Sequence, residues 1–408
     1  MSGAAGAAGA AGTAKAARPI GVGLISLGWM GRLHSKSYLA VPATYPELGV
    51  RPVLVHAADT APDRAEYARD VLGYRTASAD YRAVLDDPGV DVVSICAPNA
   101  LHREIALAAA EAGKPFWIEK PVGRDAAETA EIAEAAAKAE LVTSVGYNYR
   151  NAPAVAHIRE LVAAGELGRV TGVRCVFLNG QAADPRVALS WRFQREHAGS
   201  GVLGDLLCHV ADLVAYAAGP STGPIAEVSA ASAIVHARRP IAEMGSGTVF
   251  SLAEGDDVEL GEVDNEDHAA ALVRFAGGAL GTLEVSRVAV GPQSQLLLEV
   301  SGTGGSATWD FERMNELRVA RLGDAGYTTV LAHGGLGEYA RFQPGPGIAM
   351  GYDDLKVIEA ARFLRAVLER DTTGSAHCTV ADAHAAAEVV QAAVDSAASG
   401  SWVRVKSR

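Results

Sequence analysis

Apolar and polar positions follow two alternating patterns along the first 150 residues. Short apolar runs such as IGVGLI (20–25), VDVVSICAP (90–98) and LVTSVGY (141–147) are separated by segments whose apolar residues recur every three to four positions. The runs are typical of strands, and the longer period is typical of amphipathic helices. Strands that are apolar throughout and alternate with helices predict a parallel sheet covered on both faces. We therefore expect a doubly wound (Rossmann) α/β domain over residues 19–150.

The pattern changes after a further helix at APAVAHIRELVAAG (152–165). Segments such as RVTGVRCVFL, DHAAALVRFA and SQLLLEVSG then recur at the spacing of hairpins, with the glycine-rich turns AGGA and GTGG among them. This spacing predicts a large, mostly antiparallel open sheet. Helical periodicity returns in DDLKVIEAARFLRAVLER and VADAHAAAEVVQAAVDSAASG, so residues 151–408 are expected to form an α+β substrate-binding domain. An uncovered apolar sheet face predicts a homodimer or homotetramer formed through it.

Composition narrows the class of protein. The chain has 408 residues, 49% of them hydrophobic and 21% charged, which suits a globular protein of two domains. A net charge of −12 argues against nucleic acid or an anionic membrane as a partner, and no apolar run approaches the ~18 residues of a membrane span. Four scattered cysteines suit a reducing cytoplasm. Residues 1–18 form an Ala/Gly repeat without the apolar core of a secretory signal, so we expect a disordered tail.

A glycine-rich corner joins the first strand to the first helix in VGLISLGWMGRLH. The dinucleotide fingerprint G-x-G-x-x-G requires a glycine in its first place, where this chain has Ser26. We expect Ser26 to make the tight turn with a negative φ, Gly28 to admit a pyrophosphate and Gly31 to let the helix pack on the strand. The helix N-terminus would offer free N–H groups to phosphates. A plain strand-to-helix turn is the structural alternative.

The second predicted strand ends at Asp59. A carboxylate at this place can accept hydrogen bonds from the hydroxyls of an adenine ribose, and it repels a 2′-phosphate. Asp59 therefore favours NAD over NADP, and no arginine follows it directly. A turn or helix-cap aspartate is the alternative interpretation.

Two further stretches carry candidate chemistry. FWIEKPVG places Glu119 and Lys120 just after the fifth strand, where a doubly wound sheet has its ligand crevice. GVLGDLLCHVADL sets Asp205 and His209 four residues apart, so on a helix they share one face. An aspartate beside a histidine orients the ring and raises its basicity, as general-base catalysis requires. A solvated lysine and an incidental Asp–His pair on a surface helix are the alternatives.

The same helix suggests two other kinds of site, and the spacing argues against both. Asp205, His209 and Asp212 would form a stripe along a helix, and no second His or Cys cluster completes a metal site. Cys208 and His209 point about 100° apart on a helix, so they do not form a nucleophile–base pair. We interpret Cys208 as a packing residue.

Four stretches in this order and spacing resemble the GFO/IDH/MocA family of oxidoreductases, typified by glucose–fructose oxidoreductase and inositol dehydrogenase. They are GLISLGWMGRLHS, APNALHREIALAAAEAGKPFWIEKP, GYNYRNAPA and LSWRFQREHAGSGVLGDLLCHVADL. The stretch GTGGSATWDFERMNEL and the late helix at GYDDLKVIEAARFLRAVLE resemble the branch of levoglucosan dehydrogenase and related sugar-ring dehydrogenases. FLNGQAADP lacks the acidic and aromatic residues associated with that branch, which leaves the substrate open.

The resemblance implies a cytoplasmic, NAD-dependent enzyme that transfers hydride from a secondary hydroxyl of a sugar, anhydrosugar or cyclic polyol. His209, oriented by Asp205, would be the base and the Lys120 ammonium would stabilise the alkoxide. A redox-neutral glycoside-processing enzyme with recycled NAD and a non-catalytic dinucleotide sensor are the alternatives. The substrate contacts implied are Lys120, Arg150, Trp191, Arg192, Asp205 and His209. The cofactor contacts expected are Ser26, Gly28, Trp29, Met30, Asp59, Pro98, Asn99, His102, Glu119 and Asn148.

Overall fold

The structure is a computed structural model that describes residues 17–241, 251–253 and 258–406. The predicted Ala/Gly tail lies outside the described residues up to position 16, and Arg18 already belongs to the first strand. The described α-helices are α1 (Trp29–Thr44), α2 (Pro62–Tyr67), α3 (Tyr81–Asp86), α4 (Asn99–Glu111), α5 (Ala126–Lys138), α6 (Pro153–Ala163), α7 (Arg195–Ala198), α8 (Cys208–Thr222), α9 (Tyr352–Glu369) and α10 (Val380–Ser399).

The described strands form two large sheets and one short hairpin-like pair. They are β1 (Arg18–Ile25), β2 (Val50–Ala58), β3 (Thr76–Ser78), β4 (Val92–Ile95), β5 (Phe116–Ile118), β6 (Thr143–Val145), β7 (Val170–Leu178), β8 (Ile225–Ala233), β9 (Arg238–Pro240), β10 (Leu260–Glu262), β11 (His268–Phe275), β12 (Leu280–Ser286), β13 (Gln295–Gly302), β14 (Gly305–Asp310), β15 (Glu316–Arg321), β16 (Thr328–Leu331) and β17 (Val403–Arg404).

The first sheet is parallel, with six strands in the order β3-β2-β1-β4-β5-β6. The strand order reverses between β1 and β4, and ligands of such sheets bind at the carboxyl ends of the strands beside this reversal. The corner after β1 and the loops after β4 and β5 all lie at this edge. The predicted doubly wound domain is confirmed. Gly73 ends the helical segment after β2 and has a φ of 86°, a left-handed conformation that suits glycine.

The second sheet has nine strands in the order β16-β15-β14-β13-β7-β12-β11-β8-β17. Neighbouring strands within this sheet are antiparallel, except that β7 and β12 are parallel to each other. The predicted mostly antiparallel sheet is confirmed. Helices α6, α8 and α10 cover one face and share a hydrophobic core with it. On the other face the side chains of Leu272 and Leu280 are more than half exposed. This alternation leaves one face of the sheet without a covering layer among the described residues.

The last two helices pack back onto the parallel sheet. Val357, Ala361 and Leu364 of α9 are buried in the same cluster as Tyr38 and Trp117, and α10 packs against α5. Both helices also contact the second part of the chain: α10 lies against β8, and α9 lies against residues 148–151. The domain boundary at residue 150 stays a prediction. Residues well beyond that position in the chain complete the core of the first domain.

Among the described residues, one helical stretch is long and apolar enough to span a membrane, whereas the sequence pattern predicted no such segment. It is Arg195–Thr222, and 83% of its most apolar window is buried inside the fold. Burial of that extent is the behaviour of a core helix, and the stretch contains Asp205 and His209 in its middle.

Candidate active site

The corner after β1 differs from the sequence expectation at its first position. Ser26 has a φ of 74°, so the expected negative φ is wrong. Its N–H donates to Ala58 O (2.8 Å), which draws the corner toward β2. A Cβ on Gly31 would lie 2.1 Å from Ser26 O, so α1 packs on the corner through a glycine, as predicted. The left-handed turn costs a non-glycine residue roughly 1–2 kcal/mol, which this fold imposes on Ser26.

Open space lies over the N-terminus of α1. An ideal Cβ on Gly28 would meet nothing within 4 Å among the described residues, and no side chain there caps the helix. Trp29 is 55% exposed and stacks on Tyr352 of α9, with 5.6 Å between ring centroids, and Met30 is partly exposed in the same turn. Free N–H groups facing open space at a helix start fit a pyrophosphate.

Asp59 is buried beside this corner. Its Oδ2 accepts a hydrogen bond from Leu27 N (2.7 Å) and its Oδ1 from Ala61 N (3.0 Å). The Arg64 guanidinium of α2 lies 3.5 Å from Asp59 Oδ2. Sequence reasoning missed Arg64, because it lies five positions beyond the aspartate and reaches back from the next helix. The carboxylate expected at the ribose therefore has a cation beside it.

The loop after β4 and the first turn of α4 carry three of the residues expected to contact the cofactor. Pro98 immediately precedes α4, and the buried Asn99 donates to Ala198 O (3.4 Å). His102 has no exposed surface, and its ring nitrogens lie 2.7 Å from Ala97 O and 2.8 Å from Pro121 O. Both nitrogens face main-chain carbonyl oxygens and not open space, and the nitrogen that carries the proton donates to its carbonyl, so His102 packs between two loops of the site. Burial lowers the pKa of this ring.

Lys120 and Asp205 form a close ion pair across the two parts of the chain. Lys120 Nζ lies 2.7 Å from Asp205 Oδ1 and 3.1 Å from Asp205 O. Burial would lower the pKa of Lys120, but the carboxylate outweighs it and raises that pKa. Burial would likewise raise the pKa of Asp205, and the charges of Lys120 and Arg192 hold it well below its usual range. The Asp205 side chain is 41% exposed, so the pair borders open space.

His209 lies beside this pair, but Asp205 does not hold it. No hydrogen bond joins the two side chains in the described structure, because Asp205 is bound to Lys120 instead. Residues Leu203–Leu207 form a π-helical turn before α8, so a spacing of four does not stack these side chains as it would in a regular α-helix. The prediction that Asp205 orients His209 through a shared helix face is wrong in this respect. Cys208 is buried in the core, in agreement with its predicted packing function.

The His209 ring is surrounded by aromatic rings and is not bound by a carboxylate. The centroids of Tyr149, Tyr147 and Phe177 lie 4.9, 5.6 and 5.8 Å from the imidazole. Its Nδ1 is buried and has no hydrogen-bond partner within the described ranges. Burial lowers the pKa of His209 well below its ordinary value, and the Lys120 charge lowers it further. The ring is therefore neutral at neutral pH.

Glu119 is a buried carboxylate that follows β5 at the carboxyl edge of the parallel sheet. Its Oε1 contacts His34 Nε2 (3.0 Å) and Lys356 Nζ (2.6 Å), and its Oε2 accepts from Lys120 N (3.3 Å). Burial would raise the pKa of Glu119, but the Lys356 ammonium and the His34 hydrogen bond keep it far below its usual range. Glu119 is thus a fixed carboxylate behind Lys120. His34 and Lys356 were missed by sequence reasoning.

Asn148 is fully buried, and neither atom of its side-chain amide has a hydrogen-bond partner of normal geometry in the part of the chain that the structure describes. An orphaned amide just after β6, at the edge of the sheet where the strands end, requires a polar partner. A nicotinamide dinucleotide fits these residues: Gly28 leaves room for its phosphates, Asp59 can accept from its ribose and Asn148 can bind a polar group of the nicotinamide half.

Arg150 does not reach the Lys120–Asp205 pair. Its guanidinium donates to both carboxylate oxygens of Asp212, and both residues line a separate cavity of about 1220 Å³ that also includes Glu359 and His377. We call this the rear cavity. Lys120, Asp205 and His209 do not line it. The substrate contact expected of Arg150 is therefore wrong for this structure.

Arg192 and Trp191 lie on the Asp205 side of the site. The Arg192 guanidinium packs over the Trp191 ring at 4.2 Å and is close enough to Asp205 for their charges to interact. Burial lowers the pKa of Arg192, and Asp205 opposes that change. No ion pair within 4.0 Å occupies this guanidinium among the described residues. Both side chains stay candidates for binding substrate.

Comparisons with known proteins agree with this geometry. A model described as an oxidoreductase family with an NAD-binding Rossmann fold matches residues 20–147, and a GFO/IDH/MocA C-terminal domain model matches residues 155–308. The chain is 38% identical over 397 residues to levoglucosan dehydrogenase of Pseudarthrobacter phenanthrenivorans, covering 95% of this chain and 98% of that protein. It is 26% identical to myo-inositol 2-dehydrogenase of Thermotoga maritima, covering 70% and 73% of the two chains. A levoglucosan dehydrogenase structure in complex with NADH and levoglucosan superposes with a TM-score of 0.87 at 35% identity, covering 96% and 100% of the two chains.

Proposed function

The chain belongs to the GFO/IDH/MocA family of oxidoreductases. We therefore propose that Lys120, Asp205 and His209 promote the oxidation of a secondary hydroxyl by bound NAD. The predicted class, an NAD-dependent dehydrogenase of sugars or polyols, is confirmed by the relatives named above. The observation that carries the residue assignment is the Lys120–Asp205 pair, which borders open space beside a neutral histidine.

Oxidation of an alcohol requires the loss of the hydroxyl proton as the hydride leaves carbon. Bound NAD supplies the hydride acceptor. His209 is the base, because its neutral imidazole has a lone pair free while Lys120 is a cation at neutral pH. Since Nδ1 of His209 is buried, Nε2 is the nitrogen that faces the substrate in this proposal. The proton passes from the hydroxyl to Nε2.

Lys120 and Asp205 have different electrostatic functions in this proposal. The alkoxide that forms next to Lys120 is stabilised by a preorganised ammonium, which is the largest single effect that such a site can supply. Asp205 holds Lys120 Nζ at 2.7 Å and so fixes its position before the substrate binds. Arg192, whose guanidinium lacks a close ion pair in the described part, is the proposed donor to a neighbouring substrate hydroxyl.

We propose an anhydrosugar or a cyclic sugar as the substrate class. Support comes from the relative of 38% identity, which is a levoglucosan dehydrogenase, and from the similar structure that contains levoglucosan. Neutral polyhydroxylated rings also suit a site whose charged pair, Lys120 and Asp205, is already mutually satisfied. The assay is NADH absorbance on adding levoglucosan, inositols and pyranoses to the purified protein with NAD.

The outcome of that assay separates the remaining alternatives. Net NADH release supports the dehydrogenase. Conversion of a glycoside without net NADH indicates the redox-neutral use of NAD. Binding of NAD with no conversion of any sugar indicates a dinucleotide sensor and overturns the catalytic assignment.

We also propose that the protein is cytoplasmic and that two copies associate through the uncovered face of the second sheet. The observation behind the dimer is that Leu272 and Leu280 are 54% and 60% exposed on that face. Sedimentation of the Leu272→Glu, Leu280→Glu variant tests it: a monomer is expected, and an unchanged sedimentation coefficient overturns it.

A further inference from the structure

A lysine with no exposed surface lies behind Lys120. Lys356 of α9 places its Nζ 2.6 Å from Glu119 Oε1 and 2.9 Å from Glu359 Oε2, and 5.4 Å from the centroid of the Trp117 ring. A buried ammonium is costly unless carboxylates surround it. Burial would lower the pKa of Lys356, but the two carboxylates raise it, so the side chain stays charged.

Glu119 transmits the position of this charge to the catalytic lysine. One of its carboxylate oxygens contacts Lys356 and His34, and the other accepts from the main-chain N–H of Lys120. Gly146 closes the remaining side: a Cβ there would lie 2.4 Å from Glu119 Oε1. The carboxylate is therefore confined to one position, with Lys356 as its strongest partner.

The same face of α9 reaches two parts of the site and the separate rear cavity. Tyr352, Lys356 and Glu359 are spaced by four and three residues, so they form one stripe along the helix. Tyr352 stacks on Trp29 of the corner, Lys356 binds Glu119, and Glu359 lines the rear cavity. Helix α9 thus spans the distance between the corner and the loop that carries Lys120.

We propose that Lys356 is a positioning residue: its ammonium fixes Glu119 against the main chain of Lys120 and thereby sets the Lys120 ammonium beside Asp205. This inference rests on the proposed function, in which Lys120 stabilises the alkoxide. Lys356 itself touches neither the open side of the site nor the Lys120–Asp205 pair. Its loss should therefore slow the chemical step without weakening the binding of either ligand.

The first test is Lys356→Met, which keeps the length of the side chain over Trp117 and removes the charge. We expect kcat to fall about tenfold, with the Kd of NAD and the KM for levoglucosan changed less than twofold. Glu359→Gln is the matched control, because it removes the other carboxylate at the ammonium and leaves the Glu119 contact. Its kcat should stay within twofold of the unmodified protein.

A double-mutant cycle asks whether Lys356 acts through Glu119. Glu119→Gln should lower kcat by itself, and adding Lys356→Met to it should lower kcat no further. Independent losses that multiply would indicate a merely structural lysine and overturn the proposal, as would an unchanged kcat in Lys356→Met. If Lys356→Met does not fold in a thermal melt, Lys356→Met with Glu359→Gln takes its place, because it also removes the buried carboxyl group that loses its partner.

A crystallographic comparison keeps this test separate from the proposed function. If the unmodified protein releases no NADH with any sugar or polyol, the proposed function fails while the positioning claim can still be judged. Crystal structures of the unmodified protein and of Lys356→Met then decide. A Glu119 carboxylate turned away from Lys120 N, with a broken Lys120–Asp205 contact, supports the claim. Unchanged positions of both overturn it.

Discussion

Lys120 Nζ lies 2.7 Å from Asp205 Oδ1, and this contact takes up the aspartate that the sequence assigns to His209. The lysine is thereby held as a cation, and the histidine is left neutral among aromatic rings. The base of the proposed reaction is therefore neutral, and the group that stabilises the alkoxide is a cation. Each can therefore be removed by mutation with a different signature.

Removal of the Lys120 side chain should separate chemistry from binding. Lys120→Ala deletes a charge that acts on the developing alkoxide, so kcat should fall by roughly 100-fold or more. The Kd of NAD, measured by calorimetry, should change far less, because the open space over Gly28 is at the other end of the site. Near-normal turnover in this variant would remove Lys120 from the mechanism.

The pH dependence should show a wide plateau. A base must be neutral to accept the proton, so activity is present above the pKa of His209 and lost as the pH falls through it. Because that pKa lies well below 6.5, the rising limb of kcat/KM should lie below pH 6.5. Lys120, whose pKa is raised above 10.5, should keep the rate constant up to strongly alkaline pH.

The control for this limb is His209→Ala, which should lose roughly 100-fold in kcat, lack the acid limb and recover partly at high pH, where hydroxide can replace the base. A limb that persists in His209→Ala would assign the base to another group.

The preference for NAD over NADP should depend on Asp59 and on Arg64 beside it. NAD should bind at least tenfold better than NADP in the unmodified protein, a difference of about 1.4 kcal/mol. Asp59→Ser should narrow this gap, because it removes the repulsion and frees Arg64, now 3.5 Å from the carboxylate, to meet a 2′-phosphate. Calorimetry with both nucleotides measures the gap. Adding Arg64→Ala should widen the gap again in part, because it removes the cation while the repulsion stays absent. Equal affinities in the unmodified protein would refute the ribose assignment.

The left-handed turn at Ser26 predicts the effect of restoring glycine. Ser26→Gly relieves the positive φ, so the free energy of unfolding should stay level or rise by up to about 1 kcal/mol. NAD affinity should be unchanged or slightly improved. A loss of affinity beyond about tenfold would mean that the Ser26 hydroxyl contacts the phosphates.

The two glycines of the corner should respond differently to alanine. Gly31→Ala places a methyl group 2.1 Å from Ser26 O and should lower the unfolding free energy by about 1–3 kcal/mol in a denaturant titration. Gly28→Ala meets open space, so it should spare stability and weaken NAD binding. Equal effects on stability would contradict the packing assigned to Gly31.

The features that could be predicted from the sequence are those that depend on where strands end and on local residue spacing. Parallel strands bring the corner and Lys120 to one edge, and that placement is confirmed. Arg150 was misplaced because residues Asn148–Asn151 form a 3₁₀ turn, in which side chains two positions apart point in different directions. Asn148 is buried, and its amide has no hydrogen-bond partner of normal geometry among the described residues, whereas Arg150 lines the rear cavity. Lys356 reaches Glu119 across 237 positions of chain, a contact that no local pattern indicates.

The packing of α9 and α10 on the parallel sheet has a consequence for synthesis of the chain on the ribosome. Residues 20–147 emerge first, while the helices that cover Trp117 and pack on α5 are encoded after position 351. The nascent first domain therefore carries bare apolar surface until α9 and α10 have been translated, and such surfaces favour aggregation. A fragment ending at residue 150 should accumulate as insoluble protein, and a separately expressed segment containing residues 352–399 should restore part of its solubility.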